Sequence, residues 1–333
     1  MQVLHLLLII AVLFGIELLY FKLADRFNII DKPNERSSHT QITIRGGGII
    51  FPIAWIMYSL INGFVFPFVT IGVLLIATIS FLDDRMELSS RLRLLVHLLA
   101  FTLCFVELDL FHLLPWWGIP ILYIVAIGCV NAINFMDGIN GITGLYALAI
   151  LVPIYLMLYP NSFEINGIIY LIASVLVFGF FNFRKKAKCF AGDVGSVSMG
   201  YLVIFLILSL IFLGKNALHG TNQLQSIAVS NNFDFKYILL LSLYGVDAIL
   251  TIIHRLILKE NIFKAHRKHF YQYLANEMKW PHLSVAILYA FIQLSINLWV
   301  ISNEVSLYVG IGLILVLSVV YVLLKRRILS KLS

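Results

Sequence analysis

The sequence predicts an all-α, polytopic integral membrane helical bundle: one domain over residues 1–333, about eleven transmembrane helices, and its unusual polar runs gathered on the cytoplasmic face. Three observations predict it. Of 333 residues, 61% are hydrophobic and 12% charged, whereas a soluble domain averages about 45–50% apolar and about 25% charged residues. The mean hydropathy is +0.95, so most side chains have only lipid or other apolar helices to face. Lys and Arg also segregate between alternate connections once the apolar stretches are marked. This composition excludes a soluble fold and a disordered chain. The net charge of +7 reads as membrane topology, and no nucleic acid partner is expected.

Eleven stretches approach the roughly 20 residues that cross a bilayer core. They are Val3 to Phe21, Gly47 to Ile61, Phe64 to Leu82, Leu94 to Leu108, Gly118 to Val130, Ile142 to Leu158, Gly167 to Phe183, Val197 to Gly214, Lys236 to His254, Leu283 to Ser302 and Val305 to Leu324. The first has no Lys or Arg ahead of it and no small-x-small cleavage site behind it, so it reads as a retained span and not a signal peptide. An odd number of crossings puts the termini on opposite sides. On that count 22 of the 24 Lys and Arg share one face, leaving Lys215 and Lys236 on the other. The basic face is cytoplasmic by the positive-inside rule, with the N-terminus outside and the C-terminus inside. Three cysteines, Cys104, Cys129 and Cys189, make no disulfide framework and read as packing residues.

The unusual polar runs fall on the basic face. Loop one holds Asp31-x-Pro-x-x-Arg36-x-x-His39 and ends in Arg45-Gly46-Gly47-Gly48. In loop two, Asp83 and Asp84 adjoin at a membrane boundary, either as solvated charges at a helix end or as a repelling pair relieved by a divalent cation or a cationic side chain. Loop three places Asn131, Asn134 and Asp137 three residues apart, with Gly138, Asn140 and Gly141 following. It is a polar turn or a set of oxygen donors that needs a metal or polar ligand to be buried. Loop four carries Phe190 and Gly192-Asp193-Val-Gly195-Ser196 ahead of an apolar helix. That corner suits an anion with a metal on it, and Ser196 serves equally as a helix N-cap. Loop five offers His266, Arg267, His269, Tyr271 and Gln272, suited to phosphate or sugar hydroxyls or simply to anionic headgroups. No Cys or His cluster has zinc spacing, and hard oxygen donors favour Mg²⁺.

Taken together these motifs resemble the polyprenyl-phosphate N-acetylhexosamine-1-phosphate transferases, glycosyltransferase family 4. The resemblance runs from the Asp31-x-Pro-x-x-Arg36-x-x-His39 loop, through Asp83-Asp84, Asn131-x-x-Asn134-x-x-Asp137-Gly138 and Gly192-Asp193-x-Gly195-Ser196, to the histidine-rich fifth loop. It implies transfer of a sugar 1-phosphate from a UDP-sugar to undecaprenyl phosphate, with UMP released, Mg²⁺ required (or Mn²⁺ in its place), and a bacterial inner membrane location. Carried over by position, it implies Asn134 and Asp193 as the metal site, with Asp83, Asp84, Asp137 and His269 as catalytic residues. Arg36, His39, Asn131, Gly138, Asn140, Phe190, Arg267 and Gln272 are implied as substrate-binding, Phe190 against the uracil ring. A homodimer is a further expectation.

Departures from the family pattern matter too. Tyr271 and Gln272 stand where the family commonly has histidines, which resembles the branch acting on N-acetylated deoxy sugars, and UDP-GlcNAc stays open as a donor. The Asn182-to-Asp193 spacing is one residue long and unusually basic, and loop one lacks the usual prolines between His39 and the glycines. The lipid phosphate is already largely dianionic at pH 7, since a phosphate monoester has its second pKa near about 6. Asp83 or Asp84 is therefore expected to position it, or a second cation, more than to abstract a proton. The rivals are a secondary transporter of a polar anionic solute and a non-catalytic scaffold. Transporters keep polar residues near the midplane, where only Asp247 and Glu17 lie in apolar runs here.

Overall fold

The computed structural model describes residues 2–31, 42–86, 88–160, 166–214, 233–261 and 266–332. Helix α1 (Gln2–Arg26) is followed by strands β1 (Ile30–Asp31) and β2 (Thr43–Ile44), paired antiparallel with Ile30 opposite Ile44. A 3₁₀ turn at Gly47–Ile49 enters α2 (Ile50–Ile61), then α3 (Pro67–Met86), α4 (Ser90–Glu107), the single turn α5 (Leu110–Leu113), α6 (Gly118–Met136), α7 (Ile142–Leu158), α8 (Gly167–Asn182) and α9 (Gly192–Phe212). A 3₁₀ segment at Phe235–Leu241 runs into α10 (Ser242–Ile257). The short α11 (Phe270–Gln272) continues as a π turn at Tyr273–Glu277, and α12 (His282–Ser302) and α13 (Leu307–Leu332) close the chain.

Each of the eleven apolar segments coincides with one helix, and seven helices among the described residues are long and apolar enough to cross a membrane: α1, α3, α6, α9, Phe235–Ile257, α12 and α13. The helices of the segments at 47–61, 142–158 and 167–182 are apolar but shorter, and α4 carries Arg91, Arg93 and Glu107. The protein is a multi-pass, helical membrane protein.

Helix α9 forms the centre. Every residue from Val194 to Phe212 is buried, with α2, α3, α6 and α7 packed around it. An all-round apolar helix has no polar face to turn to water, so it is stable only inside a bundle or in lipid. Aromatic rings fill the gaps: Phe205 lies edge-on to Trp55 at 5.5 Å and to Phe66 at 5.3 Å. The Tyr201 hydroxyl donates to the Ala100 carbonyl at 3.0 Å. Helices α1 and α13 stand at the rim with most of their apolar side chains exposed.

Several helices run past their apolar segments into polar residues. Helix α6 runs six residues past Val130, to Met136, and α9 begins at Gly192 ahead of Val197. Helix α4 starts at Ser90, where Ser89 caps it by accepting the Leu92 N–H at 3.3 Å. Hydropathy marks only the apolar part of a helix, whereas the backbone continues while its polar side chains find partners. Asn131, Asn134 and Asp193 consequently project from helix ends and not from loops.

Candidate active site

The N-terminus of α9 presents backbone N–H groups with no capping side chain of its own, because Ala191 occupies the N-cap position. Unpaired donors there must find an acceptor, and a carboxylate also answers the helix dipole. Asp84, at the end of α3, supplies both: its two oxygens accept the N–H groups of Asp193 at 3.1 Å and Val194 at 3.2 Å. Its side chain is 1% exposed, and Arg45 Nε pairs with it at 2.7 Å. Arg45 then reaches Asp193 Oδ1 at 4.0 Å. Gly192 takes φ +69°, and a Cβ there would lie 2.7 Å from Asp84 Oδ2, so only glycine suits the approach. Ser196 falls in the second turn of α9 and donates to Asn134 Oδ1 at 2.6 Å, which corrects the N-cap alternative for this residue.

The glycine run of loop one docks against the same helix start. Gly47 and Gly48 donate their N–H groups to the carbonyls of Phe190 at 2.8 Å and Ala191 at 3.0 Å. Gly48 and Gly195 face each other so closely that a Cβ on Gly195 would sit 2.6 Å from the Gly48 Cα. Phe190 also donates its N–H to the Ile44 carbonyl at 2.8 Å, next to a parallel bridge between Ile44 and Cys189. Asn182 ties the third and fourth loops: Oδ1 accepts the Gly141 N–H at 2.7 Å and Nδ2 donates to the Cys189 carbonyl at 2.8 Å. Its role is that of a backbone clamp. Asn140 is buried and donates to the Arg184 carbonyl at 3.0 Å.

Asp83 points away from its neighbour. It accepts Arg93 at 2.6 Å and the Leu88 N–H at 2.7 Å, so each of the two adjacent acids has its own arginine. The cationic side chain, one of the two remedies for their repulsion, is thus supplied to each acid by the fold itself. Arg45, Asp83, Asp84, Arg85, Leu88 and Arg93 line a polar pocket of about 330 Å³.

Asp137 lies just beyond the end of α6, half-buried, and accepts the Thr143 hydroxyl at 2.6 Å. Burial pushes its carboxyl up to about 6, and the negative charge of Asp84 adds to the shift. The folded chain therefore holds this proton more tightly than an unfolded chain would. The stability it contributes is complete below about pH 3.8 and is lost as pH rises through about 6. Asp137→Asn, which keeps an acceptor for Thr143, is expected to raise the unfolding temperature of the metal-free protein at pH 8 and leave it unchanged at pH 4. Equal shifts at both pH values would show that Asp137 does not titrate in this way.

The fifth loop joins this group through Tyr271, which is buried and donates to the Phe135 carbonyl at 3.1 Å, above a Gly138 that leaves its ring room. His269 is 2% exposed, with Nδ1 3.2 Å from Asp247 Oδ1. Gln272 Oε1 accepts the His269 N–H at 3.2 Å and so closes the first turn of α11. Arg267 is half-buried beside this turn, and Asn131 is half-buried near the end of α6. Arg36 and His39 lie outside the described residues. Arg45, Arg93, Thr143, Asn182, Asp247 and Tyr271 were not singled out as site residues by sequence. Of these, Arg45, Asn182 and Tyr271 lay within the polar loop runs, and Asp247 stood out as an acid inside an apolar run.

Among the described residues, no three His, Cys, Asp or Glu side chains converge closely enough to grip an ion together. The donor chemistry nevertheless fits a hard cation. Among the described residues the side chain of Asp193 pairs only with the distant Arg45, and the charges of Asp84, Asp83 and Asp137 all act on it. Asp84 already serves Arg45 and the α9 backbone, and Asn134 Oδ1 already accepts Ser196. Asp193 is thus the free anionic donor of the group, surrounded by excess negative charge that a divalent cation would offset.

Comparison with known proteins agrees with the motifs. Residues 66–211 match the family model described as glycosyl transferase family 4. The matched stretch spans less than half of the chain. It contains Asp83, Asp84, Asn131, Asn134, Asp137, Asn140, Phe190 and Asp193, while Arg45, Arg267, His269 and Gln272 lie outside it. The chain is also 26% identical over 285 residues to a relative in Bacillus subtilis (strain 168) named "Probable undecaprenyl-phosphate N-acetylglucosaminyl 1-phosphate transferase". The match covers 80% of this chain and 75% of the relative.

Proposed function

We propose that the chain transfers a sugar 1-phosphate, of an N-acetylhexosamine or deoxy-N-acetylhexosamine, from a UDP-sugar to undecaprenyl phosphate. UMP is released at the cytoplasmic face of a bacterial inner membrane, in the first membrane step of cell-envelope glycan synthesis. The observation that carries the reading is the Arg45–Asp84–Asp193 arrangement, in which three loops meet at the N-terminus of one buried helix. The family 4 match and the relative's name support the same reaction class.

Phosphoryl transfer asks a protein mainly to align two anions and offset their charge. The arginines of the polar pocket, Arg45, Arg85 and Arg93, are placed to receive phosphate oxygens, and Asp83 and Asp84 orient two of them. The acceptor phosphate is dianionic near pH 7, so alignment takes precedence over proton abstraction. Asp193 would hold Mg²⁺ (or Mn²⁺), which when bound would offset charge on the diphosphate and on departing UMP. Phe190 offers a ring to the uracil, and His269 and Arg267 offer donors to the UDP-sugar.

The test is UMP release by the purified protein with undecaprenyl phosphate and a panel of UDP-sugars. We expect turnover with at least one donor, its abolition by EDTA and recovery on adding Mg²⁺. Asp193→Asn should lose at least about 10³-fold in rate while retaining its helical circular dichroism. Metal-independent turnover or an active Asp193→Asn would remove the metal assignment. No UMP from any donor would remove the transferase reading and favour a transporter.

A further inference from the structure

We propose that Asp247 is the positioning residue for His269: it holds the Nδ1–H of the ring, so that the buried Nε2 is the nitrogen presented to a diphosphate oxygen of the donor substrate. This deepens the transferase reading and rests on it.

A carboxylate in the middle of an apolar helix is costly and must be fully hydrogen-bonded. Asp247 is 1% exposed in α10. Its Oδ2 accepts the Tyr289 hydroxyl from α12 at 2.7 Å. Around Oδ1 lie the Phe270 N–H at 3.0 Å, the hydroxyls of Thr251 and of Tyr321 from α13, each at 3.2 Å, and His269 Nδ1 at 3.2 Å. Three helices and one loop thus converge on a single carboxylate. Among these partners His269 alone keeps a second polar atom that is buried and unpartnered, its Nε2.

The ring has little freedom to turn. It lies between His266, with centroids 4.9 Å apart, and Tyr271, at 5.9 Å and nearly parallel. Tyr271 is anchored in turn to the end of α6, two residues before Asp137. Lys325 steadies the far side of the network by donating to the Tyr321 hydroxyl at 2.9 Å and to the Lys268 carbonyl at 2.8 Å. An imidazole whose Nδ1–H meets a carboxylate is fixed in tautomer and orientation. In the complex with the anionic donor substrate the ring carries a proton on each nitrogen, and Nε2–H donates to a diphosphate oxygen, which gives the buried nitrogen its partner.

The experiment uses the full-length protein in lipid nanodiscs. Asp247→Asn is expected to lower kcat/KM for the UDP-sugar by about 10- to 100-fold, with Asp247→Glu recovering part of the loss. In a His269→Gln background Asp247→Asn should add no further loss, because one residue acts through the other. Tyr289→Phe, a gentler change, is expected to fall between wild type and Asp247→Asn. Nitrogen-15 spectra of labelled histidine, assigned with His269→Gln, should show a protonated Nδ1 that moves in Asp247→Asn. Losses that multiply in the double variant, or Asp247→Asn and Tyr289→Phe both at the wild-type rate, would overturn the proposal. If the wild type turned over no donor, the transferase reading would fall, and an Nδ1 signal identical in wild type and Asp247→Asn would overturn the positioning role separately.

Discussion

Asp84→Ala is expected to lose both turnover and stability, and more of each than Asp83→Ala. Removing this carboxylate strips the acceptor from two N–H groups of α9 and leaves Arg45 without its 2.7 Å partner. Breaking a buried ion pair costs about 3–5 kcal/mol. Arg45 is 36% exposed and keeps some water, which lowers the expectation to about 2–3 kcal/mol. In a thermal melt that is a fall of several degrees. The rate is expected to drop by about 10³-fold, since Arg45 and the start of α9 both lose their reference point. Asp84→Asn, which retains one acceptor oxygen, should recover much of the melting temperature and little of the rate. Asp83 holds Arg93 and the turn between α3 and α4, so its loss should fall on that turn first. An Asp84→Ala protein that melts with the wild type would show that the helix start is held by something else.

Gly48→Ala is expected to be nearly as severe for a different reason. The added methyl would overlap the Gly195 Cα, which is backbone in the first turns of a wholly buried helix and has nowhere to move. Overpacking of this kind costs about 1–3 kcal/mol and at times more. The cheapest relief is for loop one to lift from α9, which would carry Arg45 away from Asp84. We expect a loss of rate of at least about 10²-fold with a smaller effect on the melt, because the bundle below the contact is untouched. Chemical cross-linking between cysteines introduced in loop one and α9 would report the separation. Unchanged cross-linking and full activity would show that the glycine contact is dispensable.

The helices were legible in the sequence because each apolar stretch must become a helix in lipid. Their ends were not, because hydropathy is blind to a helix that continues through Asn131 and Asn134 or begins at Gly192. The grouping of acids and amides in successive loops was also visible. Their partners were not: Asp84 pairs with Arg45 and Asp247 with His269 across 39 and 22 residues, and nothing in local spacing encodes such a match. Several polar residues that read as ligand contacts are engaged within the fold, Gln272 with the His269 N–H, Asn140 with Arg184 and Asn134 with Ser196. Asp247 was the informative exception, since an acid placed among apolar residues signals a buried partner wherever that partner lies in the chain.

Burial of α9 on all sides separates two duties within one chain. On the proposed reading, Asp193 would meet a water-borne reactant from an axle buried within the bundle, while the helices a long hydrocarbon tail could reach are the outer ones, such as α1 and α13. A rim of that kind can change its side chains to suit a different tail or a thicker bilayer while the buried hub stays as it is.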